Sequence, residues 1–440
     1  MIPALETATS TGTRSRLPGS PGARRALIDQ AVVSGSNFLN TVILVRALGL
    51  AEFGVFSLLW LAVIFVVSLQ QALLGQPLLT FVPKHEEGES RSYLAAVFRL
   101  ALIFTVLVAL LTGAGYGFFL AHWDAENVQG TLLPMVLVVT FKQAHAFLRA
   151  SFFATGRRDR ALRNDILAYP GQSLALGALW FAGLLTLSSA LWIIGIFFVV
   201  ACVVGLRSFE GLGVRPKPLA EVAERHWQFS KWIAAMAVAQ WFGSNSYVVA
   251  AGLLLGTAAV GALKAAHTVI GVLHLVFLAM ENVVPVAAAR LLAVEGRERM
   301  TRYLKRVAVL GLTGTATISS FLALFPQWIL RPLYHGEVTA EVTFALRGLA
   351  LLYLFAFAIS LLQIGFRTLE RTRVVFVTYL INTVVAVILA EPVVAAYGFK
   401  GVVLGMAGQQ ALLALMLAAV WWSSARVVAS PPAGALQSPH

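Results

Sequence analysis

Lys142, His145 and Arg149 stand at i, i+3 and i+7 inside a long apolar run, which sets all three on one face of a helix. Ser360, Gln363 and Arg367 repeat that spacing later in the chain. Two facing helices striped in this way can cradle an anionic group such as a diphosphate, which Arg grips through paired hydrogen bonds and Lys through charge. A second reading leaves Arg149 and Arg367 at the ends of their runs, reaching out to lipid head groups. His267, His274 and Glu281 follow one another at successive sevens, with Asn282 beside the last. Such a face can take up and release protons; alternatively, Glu281 hydrogen-bonds a neighbouring helix and His267 lies at the surface. Asn37 and Asn40, and then Ser244 and Asn245, mark comparable depths in two similar stretches, either as helix-packing contacts or as cavity lining.

The elements that hold these residues are apolar helices. Of 440 residues 59% are hydrophobic and 12% charged, and the mean hydropathy is +0.81. A soluble domain averages roughly 45–50% apolar and about 25% charged residues. The apolar runs are about 20 residues long, the length of helix that crosses ~30 Å of hydrocarbon. About twelve spans follow, at 26–48, 54–82, 93–120, 130–153, 163–185, 188–207, 228–254, 259–289, 302–325, 343–366, 373–395 and 399–422. Helix satisfies every backbone group within lipid, so the class is all-α, a polytopic membrane protein.

Lys and Arg alternate between the connecting segments. One set carries Arg14–Arg25, Lys84 and Arg91, Arg157–Arg163, Arg207–Arg225, Arg290–Arg306, Arg371 and Arg373, and Arg426. The other offers little more than Arg46, Lys264, Arg331, Arg347 and Lys400. The positive-inside rule then places both termini in the cytoplasm, in a multi-pass protein of the inner membrane. The expected organisation is a disordered tail at 1–25, a six-helix lobe at 26–207, a cytoplasmic loop at 208–227, a second six-helix lobe at 228–422 and a tail at 423–440. No short apolar core with a small-residue cleavage site follows the first tail, so the first helix is read as uncleaved.

The two lobes are repeats. Leu48-Gly49-Leu50-Ala51-Glu52-Phe53-Gly54 returns as Leu255-Gly256-Thr257-Ala258-Ala259-Val260-Gly261, and each turn leads into an apolar run that meets a proline, Pro77 or Pro285. Six spans per lobe is an even number, so the repeat is parallel, about an axis along the membrane normal.

The net charge of +13 lies in short loops and not on a basic helix, which argues against nucleic acid as partner. The chain has no G-x-x-x-x-G-K-[ST], H-E-x-x-H or G-x-S-x-G, and its single cysteine, Cys202, makes neither a disulfide nor a zinc site within one chain. Neither an enzyme nor a cofactor-dependent protein is expected.

The turn Arg46-Ala47-Leu48-Gly49-Leu50-Ala51-Glu52-Phe53-Gly54-Val55-Phe56 resembles the turn between the first two helices of the polysaccharide transporters, the Wzx-type flippases of the multidrug/oligosaccharidyl-lipid/polysaccharide exporter superfamily. Gly256 to Ala266 is similar to the matching turn of their second half. The resemblance implies two six-helix lobes in a MATE-like V around a central cavity. It also implies movement of an undecaprenyl-diphosphate-linked oligosaccharide from the cytoplasmic to the periplasmic leaflet, with membrane lipid, a polysaccharide polymerase and glycosyltransferases as partners. The basic cavity residues of that family correspond here to Lys142, Arg149 and Arg367. Two other functions are kept: a multidrug/cation antiporter of the same fold, for which Glu281 is the main carboxylate, and a non-transporting scaffold of a glycan assembly complex. The first span lacks the intramembrane aspartate common in drug exporters, since Asp29 lies close to its end.

Overall fold

The computed structural model describes residues 21–122 and 130–429, which are helical almost throughout, with no strand among them. Helices α1 (Pro21–Gln70), α2 (Gln76–Phe81), α3 (Glu87–His122), α4 (Leu132–Ala154), α5 (Arg158–Phe181) and α6 (Leu187–Leu206) build the first lobe. Helices α7 (Leu219–Leu255), α8 (Thr257–Ile270), α9 (His274–Leu324), α10 (Pro326–Tyr334), α11 (Ala340–Thr368) and α12 (Thr372–Ala429) build the second. Three long helices are broken by glycine, α1 at Gly49, α9 at Gly296 and α12 at Gly398. With each arm counted separately, the described helices supply the twelve spans. By length and hydropathy alone six helices qualify to cross a membrane, and three of these, Gln30–Lys84, Val283–Leu324 and Thr372–Ser423, contain the broken pairs.

Several boundaries differ from the sequence reading. Helix α1 starts at Pro21, inside the stretch expected as tail, and α12 runs on to Ala429; residues 1–20 and 430–440 of the two expected tails lie outside the described residues. Helix α7 begins at Leu219, because Pro218 suits a helix start and Glu221 sits in the first turn, so the expected loop at 208–227 shortens. The eighth span is interrupted by a tight turn at Gly271–Leu273, and the short α10 lies between spans nine and ten.

Within the first lobe α1 packs on α5, and α4 on α3 and α6; within the second α7 packs on α12, and α11 on α9 and α12. The lobes meet where α1 crosses α8 and where α7 runs beside α1 and α3. At one end, rich in arginine, Glu210 joins Arg157 and, at 3.5 Å, Arg160, while Lys217 pairs with Glu89. At the other end Ser188 donates to the Gly130 carbonyl at 3.2 Å, and Arg46 donates from Nε to the Leu333 carbonyl at 2.6 Å.

Candidate functional site

The repeated glycines carry the crossing of the two lobes. Gly49 has φ 72° and ψ 171°, and Gly256 has φ 88° and ψ 175°, so both turns use the same left-handed backbone, which favours glycine. Five residues on, Gly54 and Gly261 face each other across the interface. A Cβ at Gly54 would lie 1.8 Å from the Thr257 carbonyl oxygen, and one at Gly261 would lie 1.9 Å from that of Leu50. Small residues let membrane helices approach to backbone contact. Beside this crossing the Glu337 carboxylate accepts the Leu50 N–H at 3.2 Å, and the Tyr334 hydroxyl donates to the Ala265 carbonyl at 3.0 Å.

The crossing roofs a pocket of about 240 Å³ between the lobes. Asn37, Asn40, Ser57 and Gln172 of the first lobe line it, and Lys264 and His267 of α8 enter from the second. None of its described lining residues is Asp or Glu. Lys264 is half-buried, and its ammonium has no hydrogen-bond or ion-pair partner among the described residues. The sequence reading counted Lys264 among the loop charges; the structure sets it inside α8, about one turn beyond Gly261.

Lys142, His145 and Arg149 all turn toward α5. Lys142 Nζ donates to the Tyr169 hydroxyl at 2.5 Å and lies 4.6 Å from the centre of the Phe198 ring. Arg149 Nε donates to Asp165 Oδ2 at 2.7 Å. His145 Nε2 lies 3.2 Å from Asp165 Oδ1, close but out of line for a hydrogen bond, and both side chains are buried. Tyr169 itself lines the inter-lobe pocket, so Lys142 adds positive charge just behind that wall.

In the second lobe the stripe faces open space. Ser360, Gln363 and Arg367 line a cavity of about 910 Å³ with Glu281, Tyr379, Gln240 and Gln410. Gln363 Nε2 donates to the Tyr379 hydroxyl at 2.8 Å. Helix ends show how the repeats align: α4 stops at Ala154 and α11 at Thr368, while α5 starts at Arg158 and α12 at Thr372. Arg149 therefore corresponds to Gln363, and Asp165 to Tyr379. The equal spacing of the two stripes had suggested a match one helical turn out of register.

The proline of the first repeat has a use between lobes. Pro77 has no N–H to give to the Leu73 carbonyl four residues back, and a π turn at Gln71–Gly75 precedes it. His226 of α7 takes up that carbonyl through Nδ1 at 3.1 Å, and Ser230 donates to it at 3.4 Å. Because Nδ1–H donates, Nε2 accepts, from the Tyr93 hydroxyl at 2.7 Å. Burial pushes the His226 imidazole down to about 4, with Arg225 adding to the effect and the Leu73 hydrogen bond opposing it.

Of the remaining candidates, Asn37 lines the inter-lobe pocket, while Asn245 donates from Nδ2 to the Trp241 carbonyl of its own helix at 2.9 Å. Glu281 is exposed to the second-lobe cavity, and His267 lies in the other pocket, so these two do not share a site. The side chains of His274 and Asn282 lie outside the described residues. Sequence reasoning passed over Lys264, Asp165, Tyr379 and Gln410. Only the two charges carried a usable signal, as ionisable groups inside apolar runs.

Residues 233–391 match the MatE family model. No curated protein matches the chain. Among solved structures, an inward-facing multidrug resistance MATE family transporter of the MOP superfamily is 13% identical, with a TM-score of 0.77 over 92% of this chain and 98% of that one. The lipid II flippase MurJ in an inward closed conformation is 13% identical, with a TM-score of 0.73 over 90% and 87%. An outward-facing multidrug resistance MATE family transporter is 14% identical, with a TM-score of 0.60 over 92% and 94%. The chain has the fold of the MOP-superfamily transporters, and its long apolar helices make it a multi-pass membrane protein.

Proposed function

We propose that this protein is an alternating-access flippase of the cytoplasmic membrane that carries a polyprenyl-diphosphate-linked oligosaccharide outward. One observation carries the reading: Lys264, which has no side-chain partner among the described residues, shares an inter-lobe pocket with amides and hydroxyls and with no carboxylate among its described lining. A cation held at the lobe interface, with Lys142 behind Tyr169, attracts an anionic group and repels a cationic one. The arginine-rich end is taken as cytoplasmic and the glycine crossing as the periplasmic seal. The higher TM-score against the inward-facing relative, 0.77 against 0.60, fits a seal closed on that side. Lobe rocking would break the Gly54–Gly261 contact and release the pocket outward.

A cation antiporter is favoured by one feature, the Glu281 carboxylate exposed in the second-lobe cavity. Proteoliposomes carrying a fluorescent undecaprenyl-diphosphate sugar separate the two readings. The flippase moves the label between leaflets. Proteoliposomes that leave the label in place but drive ethidium uptake against a pH gradient contradict this reading.

A further inference from the structure

We infer that the second-lobe cavity is the subsite for the sugar part of the substrate, which assigns recognition of the anion and of the glycan to different places. The inference rests on the flippase reading. The inter-lobe pocket, at about 240 Å³, is smaller than ordinary ligand pockets, whereas the second-lobe cavity, at about 910 Å³, falls within their range of roughly 300–1,000 Å³. A phosphate group fits the first, and the second is large enough for a saccharide.

The lining chemistry points the same way. Gln240, Gln363 and Gln410 each present an amide, which both donates and accepts, as a sugar hydroxyl does. Neither Gln240 nor Gln410 has a side-chain partner among the described residues, so both amides are open to a ligand. Polar amides on membrane helices are tolerated where they line a cavity. Glu281 and Arg367 add one negative and one positive charge and do not pair with each other. The cavity is therefore formally neutral yet dense in hydrogen-bonding groups. A lone cation or a lone anion would leave one of those charges uncompensated, while a neutral polyol serves both, with hydroxyls donating to Glu281 and accepting from Arg367. Pro285, which also lines the cavity, has no N–H for the Glu281 carbonyl four residues back.

The position follows from the repeat. Where the first lobe places Arg149 and Asp165, bonded to each other, the second places Gln363 and Tyr379. The exchange removes the charged pair and keeps a hydrogen-bonding surface facing the cavity.

The test uses the purified full chain in nanodiscs and two probes, undecaprenyl diphosphate and undecaprenyl-diphosphate-N-acetylglucosamine, with retention read by native mass spectrometry. The wild type is expected to hold the sugar-bearing lipid more tightly. Gln363→Leu/Gln410→Leu is expected to lose that preference, a weakening of about tenfold for the sugar lipid with the bare lipid unchanged. Should the double variant fail to fold, Glu281→Gln carries the same comparison. Equal loss of both lipids would show that Arg367 and its neighbours read phosphate and overturns the inference, as does a variant that keeps the full sugar preference. A wild type that binds both lipids equally also overturns it while leaving the flippase reading intact. A wild type that binds neither lipid overturns the flippase reading itself.

Discussion

The two lobes place side chains at matching positions and put them to opposite uses. In the first, Arg149 and Asp165 bond at 2.7 Å, with His145 against the same carboxylate, so the charges are spent on one another. In the second, the corresponding Gln363 and Tyr379 form a neutral hydrogen bond, and the charged groups, Glu281 and Arg367, face a large cavity unpaired with each other. A buried charge that meets its partner holds helices in register, whereas one left facing water-filled space is available to a ligand. The repeat thus sets one lobe with its charges paired against one whose charges face a cavity, with Lys264 at the seam between them.

The contrast is broken most readily at its charged side. Asp165→Asn is expected to cost about 3 kcal/mol, since it leaves the Arg149 guanidinium beside a neutral group. Glu281→Gln is expected to change stability by less than about 0.5 kcal/mol, because the side chain is exposed. Unfolding midpoints of the two variants in detergent check this, and equal losses would erase the contrast between the paired and the unpaired charges.

The seam is tested next. Gly54→Ala or Gly261→Ala drives a methyl group into a backbone carbonyl of the other lobe, and overpacking of this kind costs about 2 kcal/mol. The proposed periplasmic face should open: a cysteine introduced at Thr257, with Cys202→Ala as background, should react faster with an impermeant thiol reagent. Unchanged labelling would mean that the glycine crossing does not seal.

A smaller effect is expected at His226. Its imidazole titrates near 4 when folded and near 6.5 when unfolded, so between these values the unfolded chain holds a proton that the folded chain lacks. The stabilisation is complete above about 6.5 and fades as pH falls toward about 4. His226→Gln should flatten the decline in unfolding temperature between pH 7 and pH 5. An unaltered slope would place the titration elsewhere.

Much of this architecture was legible in the residues. The Gly49/Gly256 turns and the apolar runs each follow from a local requirement of backbone or lipid, and local requirements survive in sequence. What faced each helix was less accessible. Spacing placed Lys142, His145 and Arg149 on one face, yet it carried no information that Asp165 and Tyr169 of α5 stood opposite. Lys264 resembled a loop charge because it follows a turn closely, and only the crossing at Gly261 shows that the turn is buried between lobes. The equal spacing of the two stripes concealed a shift of one helical turn, which the helix ends disclose.

The central claim is that Lys264, and not the Arg149–Asp165 pair, holds the anionic group of the substrate. Retention of bare undecaprenyl diphosphate by Lys264→Ala and by Arg149→Gln/Asp165→Tyr, which transplants the second-lobe pair into the first, tests it directly. Lys264→Ala should fold normally and lose the lipid at least about tenfold, as expected for a charged hydrogen bond, while the transplanted pair should keep it. Retention by Lys264→Ala together with loss in the transplant would contradict the account.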